Sequence, residues 1–101
     1  MRSSMFALVG LIVLSVSPAL QAGDVDPATI AMCGGCHGQN GISANPMWPN
    51  LAGQGQAYLV KSMKDYRDGA RPDALMAPPV AGMSDEDIES LAAYYSGLSG
   101  N

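Results

Sequence analysis

One pentapeptide, Cys33-Gly34-Gly35-Cys36-His37, constrains this chain more than any other feature. Two thiols with this spacing can each add to one vinyl group of a haem and form two thioether links. On a helix, positions i, i+3 and i+4 share a face, so His37 would project beneath the iron that the cysteines tether. The two glycines remove side chains where a porphyrin must approach the backbone closely. The motif therefore predicts covalent attachment of one haem at Cys33 and Cys36, with His37 as an iron ligand.

Three other interpretations of the same residues have less support. A structural zinc site needs about four Cys or His ligands, and the whole chain has two cysteines and one histidine. A thioredoxin-type redox pair is expected after a strand in a βαβ pattern, and no strand pattern precedes Cys33. A simple disulfide would leave the adjacent His37 without a role. Haem attachment accounts for all three side chains.

The first 22 residues have the layout of a secretory signal peptide. Arg2 is followed by an apolar run over residues 5–14 and by the small-residue segment 19–22. The apolar run is shorter than the roughly 20 residues that a membrane helix requires. We therefore predict a signal peptide at 1–22, export to the periplasm, and a mature domain at 23–101 without stable membrane insertion; an uncleaved anchor is the alternative. Export suits the motif, because c-type haem is attached outside the cytoplasm.

The predicted mature domain is small and acidic. Domains of its 79 residues usually need a covalent or metal staple, because so short a chain buries little apolar surface. A tethered haem would supply that staple. Loss of Arg2 with the signal peptide leaves four basic and nine acidic residues, a net charge of −5. This sign disfavours nucleic-acid binding and favours partners with basic surfaces.

Caps and apolar periodicity predict an all-α domain with three helices after the signal peptide. The first begins at Asp26-Pro27 and runs into the pentapeptide. The second spans 56–68, and the third begins after Ser84. Residues 38–55 and the segment through Pro78-Pro79 show no period and are predicted to be loops. Loops this long are unusual in a compact domain, and they are best explained as walls over the two faces of a flat cofactor.

With a single histidine in the chain, a methionine sulfur is the natural candidate for the second axial ligand. Met32 adjoins the attachment site and cannot reach the opposite face of the haem. Met63 lies on the apolar stripe of the middle helix, and Met83 precedes the cap of the last helix, so both are expected to pack in the core. Met76 lies in a loop and has no place in a periodic stripe. We predict Met76 as the distal ligand, with Met47 in the first loop as the alternative.

An ordered set of short stretches extends over nearly all of the predicted mature domain. It consists of Cys33–Gly38, Pro49-Asn50-Leu51-Ala52-Gly53-Gln54, Tyr58-Leu59, Tyr66-Arg67-Asp68-Gly69, Arg71, Met76, Ser84-Asp85-Glu86-Asp87-Ile88 and Leu91-Ala92-Ala93-Tyr94-Tyr95. This set resembles the class I cytochromes c, and most of all the small bacterial cytochromes of the c4 and c553 type.

This resemblance implies a class I cytochrome c fold, with three main helices and long loops wrapped around one covalently bound haem c. It also implies that Pro49 offers its carbonyl oxygen to the Nδ1–H group of His37. Leu51 would pack against the haem, and the Tyr94-Tyr95 end of the last helix would cross the first helix. Further candidates for contact with the haem propionates or the haem edge are Trp48, Tyr58 and Arg71, for which ordinary packing or a solvated charge is the alternative.

The function implied is that of a monohaem c-type cytochrome, which carries single electrons and is not an enzyme. Its expected partners are larger redox proteins: an oxidase, a reductase or a dehydrogenase. Two alternatives remain open. The chain could be the haem subunit of a dehydrogenase, permanently bound to its catalytic partner. It could also be a five-coordinate gas-binding or peroxidatic haem protein, which requires that Met76 is not a ligand.

Overall fold

The computed structural model describes residues 10–12 and 24–100 of the chain. Within these residues it contains α1 (Pro27–His37), α2 (Gln56–Asp68), α3 (Ala77–Val80) and α4 (Asp85–Ser96), and no strand. The predicted all-α class is confirmed. The signal peptide predicted at 1–22 lies almost wholly outside the described residues and stays a prediction. None of the helices described is both long and apolar enough to cross a membrane.

The start of α1 follows the predicted capping pattern. The Asp26 carboxylate accepts the backbone N–H of Ala28 at 2.9 Å, and Pro27 occupies the first helical position, where no backbone donor is needed. The helix continues through the pentapeptide to His37. It ends at Gly38, whose φ is 85° and whose N–H donates to the Gly34 carbonyl oxygen. Both cysteines and the histidine therefore belong to the last turns of one helix.

The long helices α2 and α4 pack against each other and build the core. Ser84 and Asp87 form the predicted capping box of α4, and Gly69 ends α2 in the left-handed conformation. The buried cluster consists of Leu59 from α2 and Leu91, Ala92 and Tyr95 from α4. The first helix joins this core through side chains that pack against the cluster, namely Ile30 and Cys33.

The second loop differs from the sequence prediction because it contains a short helix. The segment Ala77–Val80 forms α3, which packs against α2 and buries Val80. The two consecutive prolines, Pro78 and Pro79, are the reason why the sequence predicts a loop here. Prolines are nevertheless tolerated in a first helical turn, where backbone N–H groups have no partner within the helix. A helix of four residues consists almost entirely of that first turn.

The first loop, residues 38–55, is anchored to the core by backbone hydrogen bonds. The carbonyl oxygen of Gly41 accepts the N–H groups of Leu51 and Ala52 at 2.8 and 3.0 Å, which closes the loop on itself. The N–H of Gly53 then donates to the carbonyl oxygen of Tyr95 at 3.0 Å, which ties the loop to the end of α4. Gly41 has a φ of 73° and is buried, so the closure depends on a residue without a side chain.

Replacing Gly41 by Ala should destabilise the folded protein by about 2 kcal/mol or more. A Cβ at this position would keep the unfavourable positive φ and would lie 2.9 Å from the backbone nitrogen of Ala52. Gly82→Ala is the matched control, because a Cβ there meets no atom within 4 Å, and it should change stability by less than about 0.5 kcal/mol. Urea unfolding of both variants measures the difference. Equal midpoints for the two would show that the loop is not closed at Gly41.

Candidate haem-binding site

The three side chains of the pentapeptide lie on the last turns of α1 in different environments. Cys33 is half-buried, Cys36 is exposed and His37 is buried, with 7% of its surface accessible. The two cysteines are free and form no disulfide. Burial is the main reason why the pKa of the Cys33 thiol lies above its ordinary value. Since the thiols are unpaired and share one helix end with His37, they are placed as the attachment motif requires.

The His37 ring is oriented by one hydrogen bond to the first loop. Its Nδ1 lies 2.8 Å from the carbonyl oxygen of Pro49, and because a carbonyl only accepts, Nδ1 is the protonated nitrogen. The other nitrogen, Nε2, then carries a lone pair and can bind a metal. The structure thus brings His37 and Pro49 together, in the pairing that the resemblance implies.

The position of Pro49 is fixed by side chains whose roles the sequence analysis did not identify. Asn50 accepts the backbone N–H of Ser43 through Oδ1 at 2.7 Å. The Ser43 hydroxyl donates to the carbonyl oxygen of Asn45 at 2.8 Å, and it lies 3.4 Å from that of Cys36. Asn and Ser are typical of such local turns, but the pairing of residues 43 and 50 depends on the folded loop. These bonds connect the Pro49 segment to the end of α1.

The five methionines that the structure describes differ in burial: some pack in the core, some are exposed and one is intermediate. Met63 and Met83 pack against the core cluster, as predicted. Met32 and Met47 are 47% and 81% exposed. Met76 is half-buried, does not belong to the core cluster and directly precedes α3. This position leaves its thioether available as a ligand, while its role stays a prediction.

The backbone around Met76 is held by a carboxylate that the sequence analysis missed. Asp73 Oδ1 accepts the N–H groups of Leu75 and Met76 at 2.8 and 2.9 Å, and the Asp73 carbonyl oxygen accepts the N–H of Ala77 at 3.0 Å. The two backbone donors lower the pKa of the Asp73 carboxyl. An Asp two and three residues before its backbone partners is a recognisable turn signal.

The remaining predicted haem-edge residues fall into two groups. The Arg71 guanidinium lies 4.6 Å from the centre of the Tyr66 ring, and it is also close to the exposed Tyr58. Hydrogen bonds with Ser62 and then with Arg71 lower the pKa of the Tyr58 hydroxyl. Trp48 is half-buried in the first loop, and among the described residues no hydrogen bond or ring contact links its side chain to this pair. Contact of these residues with a haem stays a prediction.

The described residues fit a covalently bound haem better than a metal held by protein side chains alone. They contain no group of three or more His, Cys, Asp or Glu side chains that could hold a metal ion, so the zinc interpretation finds no support in them. In the same part of the chain, the Tyr95 hydroxyl is the one buried side-chain nitrogen or oxygen without a hydrogen-bond partner. It lies beside Cys33, and burial raises its pKa. Two free thiols and an oriented histidine therefore share the end of α1, and the Tyr95 hydroxyl of α4 lies beside the first of these thiols.

Fold and site together define a c-type haem protein, and comparison with known proteins gives its family. A family model described as cytochrome c matches residues 28–99. The chain belongs to the cytochrome c family, whose cofactor is haem c, bound covalently through a pair of cysteines such as Cys33 and Cys36. The resemblance to class I cytochromes of the c4 type is confirmed, and with it the assignment to electron transport.

Three relatives illustrate the similarity. Cytochrome c-554(548) of Halomonas halodenitrificans is 51% identical over 70 residues, which cover 66% of this chain and 84% of that protein. The crystal structure of reduced cytochrome c4 from Pseudomonas stutzeri matches with a TM-score of 0.60 and 32% identity, over 78% of this chain and 53% of that one. The thiosulfate dehydrogenase electron acceptor of Stutzerimonas stutzeri is 35% identical in an alignment of 103 positions, gaps included, which covers 92% of this chain and 47% of that protein. The chain thus spans about half the length of the last two relatives.

Haem should remain with the polypeptide after denaturation and acid–acetone extraction, because thioether bonds survive both treatments. Cys33→Ala and Cys36→Ala should each give a product with one thioether, in poor yield. Absorption spectra of the extract and of the protein pellet measure the partition of the haem. Free haem in the extract of the intact protein would contradict covalent attachment.

Proposed function

We propose that this c-type cytochrome carries single electrons between larger redox proteins outside the cytoplasm. The observation that carries the proposal is the pair of candidate axial ligands that the chain itself provides. His37 is buried and oriented by the Pro49 carbonyl, and Met76 stands in an ordered turn outside the core. When both axial positions of an iron are filled by protein ligands, no position is left for a substrate. Electron transfer then requires only a docked partner.

Each residue of the site has a defined part in this proposal. Cys33 and Cys36 would form the thioether links, and His37 would provide Nε2 as an iron ligand. The bond from its Nδ1–H group to Pro49 makes the imidazole a better donor and fixes the plane of the ring. Met76 provides a soft thioether sulfur, which favours the reduced state and raises the reduction potential relative to a harder ligand. The haem, when bound, supplies the reversible one-electron chemistry.

The loops supply the surroundings of the cofactor. Leu51 is half-buried and packs against the core cluster, next to the Pro49 segment, where it would exclude water from one haem face. Trp48 lies on the first loop as well. Tyr58 and Arg71 follow the first loop in the chain and form an exposed pair. The Arg71 guanidinium could pair there with a haem propionate.

The partners we propose are an oxidase, a reductase or a dehydrogenase. One relative is named as an electron acceptor of thiosulfate dehydrogenase, which supports a redox partner of the dehydrogenase type. A second candidate function is that of a haem subunit bound permanently to a dehydrogenase, and it is favoured by another relative, named as the cytochrome subunit of sulfide dehydrogenase in Chlorobaculum tepidum. Export to the periplasm, with a signal peptide at 1–22 and the cytochrome domain at 23–101, completes the proposal and rests on the sequence of the leader.

Replacing Met76 by Ala should open the sixth coordination position. We expect a lower reduction potential, loss of the iron–thioether charge-transfer band in the oxidised protein, and binding of carbon monoxide to the reduced protein. Met83→Ala is the matched control, since Met83 packs against the core. It should keep the band and lose on the order of 1 kcal/mol or a few of stability. Loss of the band in the Met83 variant alone would show that Met83, and not Met76, is the distal ligand.

The acidic protein should be attracted to the basic surface of a partner, and salt screens this attraction. Rates of electron transfer should therefore fall as salt rises towards physiological ionic strength, where the Debye length is about 8 Å. Acidic residues crowd the start of α4, where Asp85 pairs with Arg67 at 2.8 Å and Asp87 belongs to the capping box. Glu86 and Glu89 are exposed there, and neither forms an ion pair with another residue that the structure describes. The double variant Glu86→Gln/Glu89→Gln should therefore weaken the salt dependence of the rate.

Stopped-flow measurements at several salt concentrations give this dependence. A flat rate would reject electrostatic steering and leave docking to the apolar rim of the haem site. A stable complex that resists salt would instead support the permanent-subunit candidate.

A further inference from the structure

The turn that carries Met76 is held together by one acidic residue. Asp73 Oδ1 accepts two consecutive backbone N–H groups, those of Leu75 and Met76, at 2.8 and 2.9 Å. The backbone carbonyl of the same residue accepts the N–H of Ala77 at 3.0 Å. Three consecutive amides therefore end on Asp73, and the amide of Met76 is the middle one.

Other interactions contribute little to the order of this turn. Leu75 is 69% exposed, and Met76 does not belong to the core cluster, so burial does not fix the backbone here. The following helix has four residues, and two of them, Pro78 and Pro79, have no backbone donor. Before the turn, the nearest anchor is the Arg71 amide, which donates to the Asp65 carbonyl oxygen at 3.0 Å. After the turn, it is the buried Val80, which is 2% exposed. Between them, the Asp73 carboxylate is the side chain that fixes the turn.

We infer that Asp73 is a positioning residue for the distal ligand, which sets the backbone of Met76 so that its thioether stands ready to bind. The inference rests on the proposed role of Met76. Asp73 does not touch the metal; it acts through the amide of the ligand residue. A turn fixed before binding leaves less conformational freedom to be lost when the sulfur binds. Without it, the bound methionine should dissociate more often, although the same sulfur would still be the ligand.

Displacement of the methionine by imidazole in the oxidised protein tests this role, because exogenous ligands enter only after the sulfur has left. Asp73→Ala removes both acceptor bonds and should accelerate displacement about tenfold, which corresponds to about 1.4 kcal/mol and lies within the range of comparable side-chain bonds at helix caps. Asp73→Asn keeps an acceptor oxygen and should stay within about threefold of the wild type. Asp24→Asn is the charge control, because it removes one exposed carboxylate from the segment before α1. Its rate of methionine displacement should equal that of the wild type.

Amide hydrogen exchange gives a second measurement that does not depend on ligation. In Asp73→Ala, exchange at Leu75 and Met76 should accelerate by a similar factor, while exchange at Leu59 and Leu91 in the core should not change. Because the haem is covalently attached, visible absorption continues to report on the loaded protein even if the variant is less stable.

The outcomes separate this inference from the proposal on which it rests. If Met76→Ala keeps the iron–thioether band, the ligand assignment fails, and exchange at Leu75 and Met76 alone then decides whether Asp73 orders the turn. If Met76→Ala abolishes the band and the methionine of Asp73→Ala is displaced no faster than that of Asp24→Asn, the positioning role is wrong. Equal acceleration in Asp73→Ala and Asp73→Asn would assign the effect to charge and would also overturn it.

Discussion

The hydrogen bond between His37 Nδ1 and the Pro49 carbonyl oxygen is the interaction on which the proposed site depends most. It joins the end of α1 to the first loop, twelve residues further along the chain. It also determines the tautomer of the only histidine and therefore which nitrogen can bind a metal. The loop must present Pro49 at the right place. The closure at Gly41 and the bond between Ser43 and Asn50 are the contacts that hold it there.

The rest of the fold supports the two segments that carry the candidate ligands. The pair α2 and α4 forms the packed core, with Leu59, Leu91 and Tyr95 buried in it. The first loop is tied to α4 through the carbonyl oxygen of Tyr95. The second loop is tied to α2 at its far end by Arg67, which donates to the Met83 carbonyl oxygen at 3.1 Å. Both loops are thus tied to the α2–α4 pair, and local polar contacts shape them in between.

The sequence predicted those features that depend on short-range patterns. The pentapeptide, the Asp26-Pro27 start of α1, the capping box at Ser84 and the end of α2 at Gly69 are all defined by residues within one or two helical turns. The pair Pro78-Pro79 indicates a loop by its composition, so local patterns do not predict α3. So short a helix can nevertheless contain both prolines, because it needs few backbone donors.

Features that depend on distant contacts could not be predicted from local patterns. The pairing of Ser43 with Asn50 exists only once the first loop has closed. The role of Asp73 required the turn geometry, since an Asp in a polar loop is ordinarily solvated. The pairing of His37 with Pro49 came from the resemblance to cytochromes c, and spacing alone would not have suggested it.

The central claim is that the chain itself provides both axial ligands of its haem iron. The optical spectrum of the exported wild-type protein tests this claim most directly. Spectra are recorded in the oxidised and reduced states, with and without carbon monoxide. We predict a weak long-wavelength iron–thioether band in the oxidised protein and a reduced spectrum that carbon monoxide leaves unchanged. A reduced spectrum that shifts when carbon monoxide is added would contradict the account and would favour a five-coordinate haem protein.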